Sequence, residues 1–189
     1  MFFAPDTDEA LAFDVALMNT VAGASPSGRD EIADPGQLAG FVDRFRFSGR
    51  VDGDAAELDA VRSVRTLLRS AWTLPPDEMV TFVNDVLATR DARPRLTRHD
   101  GTDWHLHATS ADTALADRIA VEAAMALVDV VRSGRTRRLR ACAATDCDGR
   151  LVDLSKNGSR RFCSVRCSNR TNTAAHRARK ATRAAGTEG

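Results

Sequence analysis

The chain has 189 residues, room for one medium domain and a small one. At 43% hydrophobic and 28% charged it has the balance of a soluble globular protein, and no apolar run approaches the roughly 20 residues that span a bilayer. The net charge of +1 hides an asymmetry: residues 1–134 carry 13 Lys and Arg against 22 Asp and Glu, a net −9, whereas residues 135–189 carry 14 against 4, a net +10. A change of sign between halves suggests two modules with different partners.

The first module reads as mainly helical. Asp8 can cap a helix that buries Leu11, Val15 and Met18 and runs to about Ala22. The Ser-, Gly- and Pro-rich stretch Gly23–Gly28 is a loop. Asp34 followed by Pro35 starts a helix carrying Leu38, Phe41, Val42 and Phe45, because proline at the first helical position loses no hydrogen bond. Asp54 with Glu57 resembles a capping box and opens a long helix through Leu58, Val61, Val64, Leu68 and Trp72. Pro75-Pro76 separates it from a helix presenting Met79, Phe82, Val83, Val86 and Leu87.

The period then changes. Arg95–Arg98 and Thr102–Ala108 flank His99-Asp100-Gly101, which suits a three-residue hairpin loop with glycine last. That loop sets Leu96 opposite Trp104, with Leu106 on the same face; a two-residue Asp-Gly turn would split Leu96 and Trp104 between faces. His105 and His107 then share the polar face as exposed strand residues, and with His99 in the loop the three histidines do not converge on a metal. Ser110 caps a helix of about twenty residues with Leu115, Ile119, Ala123, Leu127 and Val130 inward, ended by Gly134. Asn19, Thr20, Arg62 and Arg65 are polar residues on apolar-faced helices: surface positions, or a candidate ligand pocket between helices. Residues 1–134 thus form a helical domain with a small β-hairpin, and 135–140 a basic linker to a second module, 141–189.

All four cysteines lie in that second module: Cys142, Cys147, Cys163 and Cys167. The N-terminus Met1–Glu9 is acidic and lacks the basic region of a signal peptide, so a cytoplasmic protein is expected. There thiols stay reduced, and clustered cysteines point to metal rather than disulfides. Two close pairs of thiolates suit one tetrahedral zinc ion, and four cysteines close its shell, which makes the site structural. An iron–sulfur cluster takes the same ligands, but nothing else in the chain suggests electron transfer. Cys142–Gly149 reads as a knuckle loop. Leu151–Asp153 and Arg161-Phe162 read as short strands joined through Lys156–Ser159, and a helix begins near Ser164 with Cys163 and Cys167 on one face. Knuckle, hairpin and helix in this order describe a treble-clef-like zinc finger.

On that last helix Arg166, Arg170, Thr173, Arg177 and Lys180 lie within about 40° of one line, flanked by Asn169 and His176 and preceded by Arg160 and Arg161. No acidic residue stands between Asp153 and Glu188. An exposed basic helix of this kind fits a major groove, with Arg and Asn able to contact phosphates and base edges. Docking on an acidic protein surface, including that of the first module, is the competing use of the same charge. No phosphate-binding glycine loop, nucleophile motif or acid pair supports an enzyme.

The run Arg140-x-Cys142-x4-Cys147, Asp153–Ser164 and Cys167-Ser168-Asn169-Arg170 closely resembles the CGNR zinc finger over about residues 138–180, with Ser168 in place of the family glycine. Phe13–Thr20, Val61–Arg65 and the long helix before Gly134 are similar to the ABATE domain that usually precedes this finger. The resemblance implies a stress-induced transcription regulator in which the finger binds DNA and the helical domain senses a small-molecule or protein effector. The alternative is an RNA-binding or protein-interaction module with the finger as scaffold.

Overall fold

The computed structural model describes residues 3–98 and 104–185. Its first helix, α1 (Pro5–Met18), begins at a proline and not at Asp8. Pro5 needs no N–H partner at the first helical position, and the Asp8 amide already donates back to Ala4 O at 3.0 Å. The helix stops at Met18, before the expected Ala22, where the buried Thr20 hydroxyl donates to Leu17 O at 2.7 Å and turns the chain. α2 (Pro35–Arg44) starts as expected, the Asp34 carboxylate accepting the Gln37 amide at 2.9 Å. In α3 (Ala55–Ala71) Asp54 accepts the Glu57 amide at 2.8 Å. The Glu57 carboxylate reaches past the cap to the amides of Asp52 and Gly53, at 3.0 and 2.8 Å. α4 (Pro76–Thr89) buries Met79, Val83 and Val86.

α5 (Leu115–Arg132) is the axis of the domain, with α1, α3 and α4 packed around it. Ala116, Ala120, Ala123, Ala124 and Ala126 are all buried, and their small side chains let neighbouring helices approach on several sides. Leu115, Ile119, Leu127 and Val130 fill the space between. Ser110 does not cap this helix: its carbonyl accepts the Thr113 amide in a preceding turn, and the helix opens only after Ala114. Gly134 does end it, at φ 65°, with its amide on Val131 O and that of Arg135 on Val130 O, both at 2.9 Å. On α1, Phe13 meets the rings of Phe41, Phe45 and Phe47 at 5.4, 5.3 and 4.8 Å.

The hairpin of β1 (Arg95–Thr97) and β2 (His105–His107) pairs Leu96 with Leu106, a shift of two residues from the expected Leu96–Trp104 pairing. The expected loop His99-Asp100-Gly101 lies outside the described residues. A two-residue shift preserves parity, so Leu96, Trp104 and Leu106 still share a face, but that face points to solvent at 66, 62 and 44% exposure. The histidine face is the inward one, half-buried, because His107 Nδ1 meets Glu122 Oε1 of α5 at 3.3 Å. The expectation of exposed histidines is therefore corrected.

A 3-10 turn (Thr136–Arg138) leads into β3 (Leu139–Ala141), which pairs antiparallel with β4 (Arg150–Val152); α6 (Val165–Ala185) follows. The stretch read as a linker thus supplies a strand, and β4 pairs with it and not with Arg161-Phe162. The reason is Asp153, whose buried carboxylate accepts the amides of Ser155 and Arg160 at 3.0 Å and closes 153–160 into a tight loop. Arg161 turns instead to the knuckle, its carbonyl accepting the Ala143 amide at 2.9 Å.

The β3–β4 hairpin docks on the helical domain. Leu139 and Val152 belong to the same apolar core as α1, α3 and α5. The Asn19 side chain brackets Arg150, accepting its amide at 2.7 Å and donating to its carbonyl at 2.9 Å. The buried Trp72 indole donates to Leu151 O at 3.0 Å. Asp148 N–H donates to Gly23 O at 3.0 Å, and Arg69 bridges Met18 O and Asp148 O at 2.6 and 2.9 Å. No helix among the described residues is long and apolar enough to cross a membrane.

Trp72→Phe deletes the indole donor and leaves the Leu151 carbonyl without that bond, and the smaller phenyl ring also leaves space unfilled in a buried setting. The expected loss is about 1–3 kcal/mol of stability. Urea denaturation followed by circular dichroism measures it, and an unchanged midpoint would show that this bond does not hold the hairpin to the helices.

Candidate metal centre and nucleic-acid interface

Cys142 stands just after β3, and its amide donates to Gly149 O at 2.8 Å, which closes the knuckle. Cys147 sits in that knuckle. Cys163 precedes α6, and Cys167 lies in its first turn, where its amide donates to Ser164 Oγ at 3.2 Å. These elements bring one sulfur from each of the four cysteines within 4.8 Å of one another. Cys163 Sγ lies 3.6 Å from Cys147 Sγ and 3.7 Å from Cys167 Sγ. A regular tetrahedron with metal–sulfur bonds of about 2.3 Å has sulfur–sulfur edges of about 3.75 Å. A disulfide needs about 2.05 Å, and all four cysteines are free.

The electrostatics call for a cation. Burial, and after it the neighbouring sulfurs, push the Cys163 thiol far above its ordinary value, and burial raises that of Cys147. Four thiolates cannot share this space without a positive charge among them. Donors stand ready around the sulfurs: the Gly149 amide at 3.3 Å from Cys147 Sγ, the Cys163 amide at 3.5 Å from Cys142 Sγ, and Arg170 at 3.7 Å from Cys167 Sγ. Gly149 has no room for a side chain, since a Cβ there would lie 2.7 Å from Cys163 Sγ. The cluster fits one structural zinc ion, held by Cys142, Cys147, Cys163 and Cys167.

The loop beneath the site is held by Asp153, fully buried, with Arg140 Nη1 at 3.2 Å from its carboxylate. Burial alone would raise its pKa, but the Ser155 hydroxyl and amide, the Arg160 amide and Arg140 together hold it below the usual carboxylate range. Sequence reasoning placed Asp153 at the end of a short strand and at the start of the run that resembles the CGNR finger, without a role for its carboxylate.

The basic residues named from the sequence divide into two groups. Arg166 and Arg170 are engaged within the protein. Arg166 donates to Pro26 O and Ser25 O of the helical domain at 2.6 and 3.1 Å, and Arg170 meets Asp146 of the knuckle at 2.7 Å. Arg160 curls back onto Phe162 O and Cys163 O. Arg161 lies over the Phe162 ring, its guanidinium carbon 5.8 Å from the centroid. Asn169, Arg177 and Lys180 are exposed on α6, as are Asn172, His176 and Arg179. Ser168 lines an open groove of about 420 Å³ together with Arg160, Arg161 and Val165.

The four polar residues of the candidate pocket are each engaged within the protein. Asn19 holds Arg150, and Arg62 donates to Ile32 O and Ala33 O at 3.2 and 3.0 Å. Arg65 joins Thr20 Oγ at 2.8 Å and forms a paired contact with Asp30, whose carboxyl that guanidinium holds below its usual range.

A helical domain built around one buried helix, with a four-cysteine finger docked on its flank, defines a zinc-finger protein of two fused modules. Residues 138–180 match the family model of the CGNR zinc finger, and residues 11–134 match that of ABATE, described as "Putative stress-induced transcription regulator". The chain belongs to the ABATE family and carries a CGNR zinc finger. No match was found among curated proteins.

Gly149→Ala forces a methyl group against two ligand sulfurs, an overpacking that costs about 1–3 kcal/mol. The variant should surrender its zinc at a lower chelator concentration than the parent, read by a colorimetric zinc indicator. Equal retention would mean that the knuckle yields without disturbing the ligands.

Proposed function

We propose that the protein is a DNA-binding transcription regulator whose α6 enters the major groove. The observation that carries this reading is the outer half of that helix. Residues 172–180 are all exposed and contain no acidic residue. A 21-residue helix is about 31 Å long, and this one leaves the body of the protein with no apolar stripe to bury. Such a segment gains nothing by folding against its own chain, and its Arg177, Arg179 and Lys180 match a phosphate backbone.

The division among the basic residues assigns them different work. Arg166 and Arg170 set the angle at which α6 leaves the helical domain and the knuckle. Asn169, Arg177 and Lys180 make the contacts, with Arg160 and Arg161 at the inner end beside the groove. The helical domain serves as the sensing part, and a change in its packing reaches the finger through Asn19 and Trp72.

Arg177→Ala should weaken binding to all duplexes alike and reduce the slope of log affinity against log salt by about 1. Fluorescence anisotropy over a salt series measures both. If the zinc-loaded protein shows no salt-sensitive binding to duplex DNA at low ionic strength, the proposal fails, and α6 is then a surface for RNA or for an acidic protein.

A further inference from the structure

We infer that the hairpin carries a second, open metal site: His105 and His107 chelate a divalent transition ion through their Nε2 atoms, and Glu122 orients His107. The two Nε2 atoms lie 3.1 Å apart, and the rings meet edge to face at 75°. Two nitrogens at about 2.0–2.1 Å from one tetrahedral ion stand about 3.3–3.4 Å apart, so a slight opening of the pair admits the ion. Residues two apart on a strand point the same way, which is how β2 supplies both rings.

The second atom of His107 completes the pattern. Its Nδ1 lies 3.3 Å from Glu122 Oε1, and this carboxylate-to-imidazole contact is the one that fixes tautomer and ring direction for a metal bound at Nε2. Glu122 projects from α5, the helix on which α1, α3 and α4 pack, so one side of the pair is held on the central element of the domain.

The site differs from the finger in kind. Two imidazoles leave at least two positions for solvent or a small oxygen ligand. A polar cavity of about 260 Å³, lined by His107, Glu122, Thr97, Ser48 and Arg118, adjoins it. Imidazole donors suit zinc, nickel and copper rather than calcium or magnesium. Such an exchangeable ion is a ligand that a helical domain could report.

The test uses the full chain with its finger zinc in place, dialysed against a weak chelator and then titrated with nickel ion by calorimetry. One further equivalent should bind. His107→Gln and His105→Gln should each abolish that equivalent, while finger zinc and the circular dichroism spectrum stay unchanged. Glu122→Gln should keep the site but weaken it by about 10–100-fold. No second equivalent in the parent, or a second equivalent that survives in the double His→Gln variant, overturns the inference. Equal affinity in Glu122→Gln refutes the orienting role.

Discussion

A three-residue strand with a partner on one side only cannot satisfy its own backbone, and that constraint organises the molecule. β4 pairs with β3 along one edge. Its other edge faces the helical domain, where water is excluded and an unpaired amide or carbonyl is costly. The helices answer with side chains in place of a third strand: Asn19 takes both groups of Arg150 on the outer edge, and Trp72 adds a donor to the carbonyl of Leu151, which faces Arg140 of β3. Two modules of opposite net charge are thereby joined by backbone hydrogen bonds and a common apolar core. Even the cations at the junction, Arg69 and Arg166, are directed to carbonyl oxygens.

The finger is stabilised at two points. The sulfur cluster closes the knuckle onto the start of α6, and the Asp153 carboxylate closes the loop between them. The buried Asp153 carboxylate pairs with the half-buried Arg140, and its remaining acceptor positions are filled by amides and a hydroxyl, the condition under which burial of a carboxylate is tolerated. The rest of the finger has little apolar content of its own, so metal, carboxylate and docking together do the work of a core.

Much of this was legible in the sequence wherever a local rule governs the outcome. The caps at Asp34 and Asp54, the Schellman ending at Gly134 and the apolar spacing of α3 to α5 depend on neighbours within one turn, and they stand where expected. Four cysteines in two close pairs likewise announce their geometry. The failures share a different cause. Ser110 and Asp8 are good capping residues, but Ala114 and Ala4 hold those positions because the chain path beyond the helix decides where it can begin. The hairpin inverted its expected exposure because Glu122, fifteen residues beyond His107, draws the histidine face inward. Pattern alone cannot reveal a partner supplied by another element. The true partner of β4 was hidden for the same reason, since Leu139–Ala141 looks like a basic tether until Leu139 is seen in the core.

The shared core also bears on how the parts can be separated. A fragment beginning at residue 135 would keep all four sulfurs, yet it would expose Leu139 and Val152, strip the Arg150 backbone groups of Asn19 and remove the Trp72 donor from Leu151. Such a fragment is a poor surrogate for the finger in the whole chain. Conversely, a substitution at Asn19 or Trp72, remote in sequence from every basic residue of α6, acts on the platform from which that helix projects. Loss of whatever α6 binds would therefore follow from lesions at the C-terminal ends of α1 and α3, where the defect is mechanical.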